Sequence, residues 1–441
     1  MGTIDSERSA ETTGNNSVLR AVLNREMLSC LLMGFSSGLP LYVGVQLIPA
    51  WARSAGVNLS TIGLLSLAGL PYTWKFLWAP LLDVFDPLGW GRRRSWAALT
   101  QVGLLVAIAC FAFLDPAADP WALAGLVLLV AVLSATQDIA LDAWRRELLP
   151  DRSLGLGNSL FVNAYRLSSL VPGSLALILA DRMPWAFVHL IGASFMAIGL
   201  GATLLLPEPE RPAAPQAQAA TRLELRALID PLRAFFDRHT TRGALELLAF
   251  MLLYKLGDSM ATSLLTPFYL DTGFSLTEIG TVAKAASLWA AVVGGTLGGL
   301  LMLRIGVNRG LWLFGALQLL SIFGLLALAL IGHSVPALFV AVSLEYLGVG
   351  MGTAAFVAFI ARSTDKQHSA TQLALLSSLV GLPRTLAGAG AGAIVEQVGF
   401  PVFFAGCAAL GVPGMLLLLR VAPWGDDPSA NSPPPKPGGA P

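Results

Sequence analysis

From residue 27 to residue 421 the chain alternates between apolar runs and short polar breaks, and most runs are near the length that crosses a bilayer. A membrane-spanning helix needs about 20 mostly apolar residues. Twelve runs meet that condition: 27–50, 61–84, 96–114, 121–142, 158–180, 185–206, 243–269, 279–302, 311–331, 337–360, 370–395 and 401–421. Glycine and proline recur inside them, as membrane helices tolerate. The longest break, 207–242, separates six runs from six. It opens with the Pro/Ala-rich linker "PEPERPAAPQAQAA". It continues as "TRLELRALIDPLRAFFDRH", in which Leu225, Leu228, Ile229, Leu232, Phe235 and Phe236 recur at helical spacing against arginines. That pattern predicts an interfacial amphipathic helix, bent near Pro231. The pattern divides the chain into an N-terminal tail (1–26), a first six-helix half (27–206), the central loop (207–242), a second half (243–421) and a C-terminal tail (422–441). The tail, rich in Pro, Gly and Ser, is expected to be disordered.

Composition agrees with a bilayer as solvent. Of 441 residues, 55% are hydrophobic and only 12% charged, about half the charged share of soluble domains. A net charge of +1 points to no nucleic acid or other polyanionic partner. Cys30, Cys110 and Cys407 lie in apolar runs and read as small hydrophobes. Residues 1–24 are polar and lack the short apolar core of a cleaved signal peptide. Orientation follows from Lys and Arg, which collect on the cytoplasmic side. Of 28, five fall well inside runs, two (Arg53 and Arg182) in odd-numbered loops, and 21 in even-numbered loops or at the ends, counting Arg420 at the edge of the last run. Both termini and the central loop are therefore expected in the cytoplasm.

The two halves resemble each other at an offset near 217. "TIG" at 61–63 meets "EIG" at 278–280, Trp96 and Gln101 meet Trp312 and Gln318, and Arg145, Arg166 and Phe187 meet Arg362, Arg384 and Phe404. Two six-helix repeats joined by a cytoplasmic loop is the major facilitator plan, an all-α membrane fold with the substrate site between pseudo-symmetric halves near the midplane. The loop after the second run, "APLLDVFDPLGWGRRRS", resembles the signature loop of that superfamily through Ala79, Asp83, Gly91, Arg92 and Arg93, at a longer spacing than the common form. In the superfamily this loop is a cytoplasmic charge latch. Ordinary positive-inside anchoring explains the arginines but not Asp83.

Lys75, Arg166, Lys255, Lys284 and Arg384 lie inside apolar runs, and Asp83, Asp138, Asp142, Asp258 and Glu345 lie in or at the ends of them. Five unpaired cations at roughly 3 kcal/mol each would exceed the net stability of a typical domain. Most must therefore face one another or a wet cavity. Lys255 and Asp258, three apart, share a face. Asp142 and Arg145 read as a helix-end pair beside the cytoplasmic latch. Lys75 is expected to pair with Asp138, Asp258 or a substrate carboxylate, and Lys284 could snorkel. Arg166 and Arg384 occupy equivalent places in the fifth and eleventh runs and would face each other across the cavity. Fixed cations suit an anionic substrate, and a desolvated Asp or Glu beside them can carry a proton. The glycine runs "GGTLGG" (294–299) and "GVGMGT" (348–353) have no strand before them and read as small-residue helix packing, not a nucleotide loop. The four histidines show no metal-ligand spacing, no nucleophile–base pair stands out, and no cofactor is implied.

The stretches "GFSSGLPL" (34–41), "KFLWAPLLD" (75–83), "GRRRSW" (91–96), "QDIALDAW" (137–144), "LYKLGDSMATSL" (253–264), "GMGTAAFVA" (350–358) and "SATQLALLSSL" (369–379) together resemble the AmpG muropeptide permeases of Gram-negative inner membranes, in the peptide–acetyl-CoA transporter branch of the major facilitators. The resemblance implies a monomeric transporter in the inner membrane. It would import GlcNAc–anhydroMurNAc peptides from wall turnover together with protons. By the resemblance, the family's intramembrane charges fall on Lys75, Asp138, Asp142, Arg166, Lys255, Asp258, Lys284 and Glu345, and Arg384 matches an arginine in the same eleventh-span context. Substrate contacts are expected from Lys75, Gln137, Arg166, Lys255 and Arg384, proton coupling from Asp138, Asp258 and Glu345, and gating from Asp83, Arg92, Arg93, Asp142 and Arg145. Two features depart from the family: better-known permeases carry two further C-terminal spans, and Val84 stands where Arg often follows the loop aspartate. The same branch also carries siderophores and acetyl-CoA, so another anionic amphiphile is the alternative cargo. A non-transporting sensor would need a signalling module that the short loop and tail do not supply.

Overall fold

In the computed structural model, residues 24–149, 153–206, 208, 241–363 and 369–425 are described; among them the chain is helical, with no strand. The predicted amphipathic helix and both predicted tails fall outside these residues, apart from a few at their edges. Among the described residues, nine segments are long and apolar enough to cross a membrane. Helix α1 (Arg25–Ser54) is capped by Asn24, whose side chain accepts from the Met27 amide at 2.8 Å. The second predicted run is not one helix. It is α2 (Leu59–Leu65), α3 (Leu70–Trp74) and α4 (Ala79–Val84), joined by 3-10 turns at Ser66–Gly69 and Lys75–Leu77. Pro71 and Pro80 remove the amides that would bond Leu67 and Phe76 in a continuous helix, so the ladder is interrupted twice in a short stretch.

Then come α5 (Arg92–Cys110), α6 (Pro120–Leu148), α7 (Leu154–Ser168), α8 (Trp185–Leu205), α9 (Thr241–Tyr254), α10 (Leu256–Ser263), α11 (Leu265–Asp271), α12 (Lys284–Ile331), α13 (Val335–Ser363) and α14 (Ser369–Val421). Where the sequence leads one to expect loops near 303–310 and 396–400, α12 and α14 instead break at single glycines, Gly306 (φ 80°) and Gly399 (φ 77°). Only glycine takes such a φ without strain, so two rods are joined with no polar loop.

The chain forms two compact units. One comprises the residues up to Ile48 together with Lys75–Arg222; the other comprises Pro49–Trp74 together with the chain from Leu223. The first is built on a core of Met27, Cys30, Met33, Leu82, Leu141 and Trp144. Within it α1 and α7 touch backbone to backbone: a Cβ at Gly34 would lie 2.3 Å from the Phe161 carbonyl oxygen. The second is built on Phe250, Tyr254, Phe314, Phe356 and Phe359. Here α2 lies on α14, where a Cβ at Gly392 would fall 1.8 Å from the Leu59 carbonyl oxygen. The glycine runs do pack helices: Gly294 and Gly298 sit against Leu347 and Met351, and Gly350 against Ala291.

Local geometry repeats with the period read from the sequence. Gly56 (φ 85°) and Gly273 (φ 96°) are 217 residues apart, as are Gly89 (φ 72°) and Gly306 (φ 80°). Asn58 and Ser275, at the same spacing, are both N-caps that accept a hydrogen bond from the amide three residues on. Helices α6 and α13 are each 29 residues long and carry the equivalent Arg145 and Arg362 in their last turns.

Candidate functional site

Each unit holds a cluster of one lysine and two acids. In the first, the interrupted helix places Lys75 in a 3-10 turn opposite α6. Its Nζ lies 3.7 Å from Asp138 Oδ2 and 4.0 Å from Asp142 Oδ2. Four residues apart, the two acids share a face of α6. Asp138 is buried and Asp142 half exposed, so the lysine bridges an inner and an outer carboxylate. Ser37 Oγ donates to Asp138 Oδ1 at 2.5 Å. Beside it, Ser36 Oγ accepts from Gln137 Nε2 at 2.8 Å and from Gln101 Nε2 at 3.2 Å. The Oε1 atoms of Gln101 and Gln137 are buried with no hydrogen bond. Asp142 also holds Arg145 at 3.0 Å, and that guanidinium stacks 3.9 Å above the Phe161 ring.

In the second unit Lys255 occupies the break between α9 and α10. Its Nζ meets Asp258 Oδ2 at 3.3 Å and Gln318 Oε1 at 3.3 Å. Glu345, on α13, is fully buried and accepts from Ser321 Oγ at 2.7 Å. Gly352 makes room for Gln318: a Cβ there would fall 2.3 Å from its Oε1. Lys255 and Asp258 are buried too, so this cluster is closed where the first is partly open. Lys284 is 8% exposed, which removes the snorkelling alternative.

The loop residues picked from the sequence as a latch assemble around Arg93. Its guanidinium lies 2.7 Å from both Asp83 Oδ1 and Glu147 Oε1, while Arg92 donates to the Asp83 carbonyl at 2.6 Å. Glu208 accepts from the Arg93 and Arg94 amides at 2.9 and 2.8 Å, placing a carboxylate at the N-terminus of α5 where the helix dipole favours it. Asp86 organises the loop itself. It accepts from the Gly89 and Gly91 amides at 2.9 Å and from Ser95 Oγ. The Ser95 hydroxyl, followed by backbone amides including those of Gly91 and Gly89, holds its carboxyl below the usual range despite partial desolvation.

Of the residues picked from the sequence, Lys75, Asp138 and Asp142 meet in one cluster, Lys255, Asp258 and Glu345 in another, and Asp83, Arg92 and Arg93 in the latch. Gln137 joins Ser36 rather than a cation. Arg166 is exposed and makes no ion pair among the described residues. The side chain of Arg384 lies outside those described. The sequence reading missed Ser37, Gln318 and Ser321 as partners of the charges, and Glu147, Glu208 and Asp86 in the latch. A doublet of serines in an apolar helix, and a glutamine with a repeat mate, were the available signals. No group of three or more His, Cys, Asp or Glu among the described residues could hold a metal ion.

Comparison with known proteins adds to this geometry. The sequence model of the Major Facilitator Superfamily matches residues 27–254 and again 247–440. An uncharacterized protein of Haemophilus influenzae is 44% identical over 416 residues, spanning 93% of this chain and 97% of its own. The anhydromuropeptide permease of Escherichia coli K12 is 41% identical over 391 residues, 88% of this chain and 78% of that permease. Among solved structures, a mutant of the nucleoside transporter NupG aligns with a TM-score of 0.72 over 90% of this chain and 100% of that one, at 13% identity. A POT family transporter in complex with 5-aminolevulinic acid aligns at 0.67 over 90% and 95%, also at 13%. At such identities the likeness is one of fold alone.

Proposed function

The chain belongs to the Major Facilitator Superfamily, and on that premise we propose that it imports anhydromuropeptides, GlcNAc–anhydroMurNAc peptides, into the cytoplasm with protons. The observation that carries this reading is 41% identity to an anhydromuropeptide permease across 88% of the chain. The charge clusters support it. An anionic sugar–peptide needs cations in its path, and Lys75, partly exposed between two acids, is suited to exchange a protein carboxylate for a substrate carboxylate. Lys255, Arg166, Arg384 and Gln137 complete the proposed substrate contacts, and Asp138, Asp258 and Glu345 the proton-coupling set. Asp83, Arg92, Arg93, Asp142 and Arg145, with Glu147, form the cytoplasmic gate. On this reading the transporter lies in the inner membrane as a monomer with both termini cytoplasmic, an orientation that the distribution of Lys and Arg supports.

Uptake of labelled GlcNAc–anhydroMurNAc tripeptide into right-side-out membrane vesicles tests the cargo. Uptake above that of vesicles lacking the protein, suppressed by unlabelled muropeptide and not by a ferric siderophore, is expected. Suppression by the siderophore alone would transfer the protein to the other cargo of its branch.

A further inference from the structure

The closed cluster of the second unit poses a charge problem that the open one does not. Lys255, Asp258 and Glu345 are 6%, 7% and 0% exposed. An isolated ion at such a depth costs several kcal/mol even after relaxation, and a buried group of ions is tolerated when it is neutral and fully hydrogen-bonded. One ammonium and two carboxylates leave an excess negative charge. Among the described residues the other ionisable groups facing the acids do not offset it: Tyr254 and Cys407 near Asp258, and Tyr269 and Cys407 near Glu345, are neutral in their ordinary forms. Among the described residues, Lys255 is the cation whose charge bears on Glu345.

Hydrogen bonding has a matching defect. Each acid has one satisfied oxygen, Asp258 Oδ2 by Lys255 and Glu345 Oε2 by Ser321. The others, Asp258 Oδ1 and Glu345 Oε1, are buried with no donor. The two carboxyls lie within hydrogen-bonding reach of each other. Two carboxylates accept and cannot donate, so as ions they repel at that approach and leave both oxygens unmet. A single proton on either acid cancels the excess charge and supplies the missing donor.

We infer that Asp258 and Glu345 hold one proton between them, a carboxylic acid donating to a carboxylate, and that this pair is the site from which the coupling proton leaves. The inference rests on the reading of proton-coupled import and deepens it by naming the site and its capacity, one proton per cycle. When the site meets cytoplasmic water, the O–H bond breaks, the proton passes to water, and the two carboxylates share Lys255 as counter-ion. Gln318 accepts from the Lys255 ammonium and keeps that cation beside the pair. The Lys75 cluster differs. Both its acids have donors, Ser37 for Asp138 and Arg145 for Asp142, and it is partly open, so Asp138 needs no proton shared with a second acid at rest.

Infrared difference spectroscopy of the lipid-reconstituted protein at neutral pD tests this through the deuterium-sensitive carbonyl band of protonated carboxyls. Wild type should show the band. Glu345→Gln and Asp258→Asn should each remove an amount worth one carboxyl, and the double variant should remove no more than either. Asp138→Asn should leave the band intact. The amide band of the same spectra reports whether each variant keeps its helices. Absence of the band in wild type alone overturns the inference without any variant. So does loss in only one single variant, or loss in the double variant equal to two carboxyls. Uptake measured in parallel separates the two readings. Uptake indifferent to a proton gradient sinks proton-coupled import whatever the spectra show, and gradient-driven uptake with an unaltered band sinks the shared proton alone.

Discussion

Replacing Lys75 by methionine, which keeps length and removes charge, isolates what the lysine does. At 3.7 Å from Asp138 and 4.0 Å from Asp142, a charge pair in surroundings of effective dielectric near 20 is worth ~4 kcal/mol with either acid. About a third of the Lys75 side chain is solvent-exposed, so screening reduces this, and a coupling of about 2 kcal/mol with Asp138 is the expected net. Removing the lysine also leaves the buried Asp138 with Ser37 as its remaining partner, a larger penalty than the loss of a surface pair. Lys75→Met should therefore lower unfolding stability in detergent by roughly 2–3 kcal/mol. The double variant Lys75→Met/Asp138→Asn should be more stable than Lys75→Met alone, because the stranded charge has gone. Transport should be lost in both, since neither restores a cation to bind substrate. The assays are denaturant unfolding of the purified protein for the four corners of the cycle and vesicle uptake for each. Additive destabilisation would refute the coupling. Undiminished uptake by Lys75→Met would return the lysine to a purely structural role.

Three further outcomes follow from the same account. In a Cys110→Ser background, since that cysteine is exposed, single cysteines at Ala117, Gln218 and His333 should label with an impermeant reagent in intact spheroplasts at 117 and 333 and not at 218; the reverse pattern would invert the topology. Arg166→Lys and Arg384→Lys should weaken muropeptide binding in detergent, because a point charge replaces a two-pronged donor; wild-type affinity in both would dismiss the paired-arginine site. Gly392→Ala should destabilise by about 1–3 kcal/mol, because its Cβ would meet the Leu59 backbone at 1.8 Å; a melting temperature equal to wild type would show that α2 and α14 do not touch there.

Much of this was open to a reader of the sequence, and the reasons are local. A lysine three residues before an aspartate in an apolar run, Lys255 and Asp258, has little choice but to share a helix face with it, and the pair forms. Asp138 and Asp142 point one way from α6 for the same reason, and of the two acids expected as partners of Lys75, Asp138 and Asp258, it meets Asp138, with Asp142 beside it. The offset near 217 recurs in backbone torsions because the left-handed glycines punctuate both repeats at equivalent turns. The breaks in the second run were less legible. Hydropathy sums over Pro71 and Pro80 without noticing that each removes a rung, and both proline and glycine are common in membrane helices that stay whole. Neither could hydropathy anticipate that Gly306 and Gly399 would replace polar loops. The serines that hold the charges were hard to single out for another reason: a hydroxyl in an apolar helix can bond its own backbone, as Ser168 and Ser169 do, and nothing in composition separates those from Ser37 and Ser321.

The claim that everything here turns on is that a proton gradient drives a sugar–peptide inward through this chain. Purified protein in liposomes, with labelled GlcNAc–anhydroMurNAc tripeptide at equal concentration inside and out, measures it directly. Imposing an acid exterior should produce net accumulation inside, abolished by a protonophore, and Glu345→Gln should still exchange label across the bilayer yet accumulate none. Exchange without accumulation in the wild-type protein, or accumulation unchanged by the protonophore, would contradict the account.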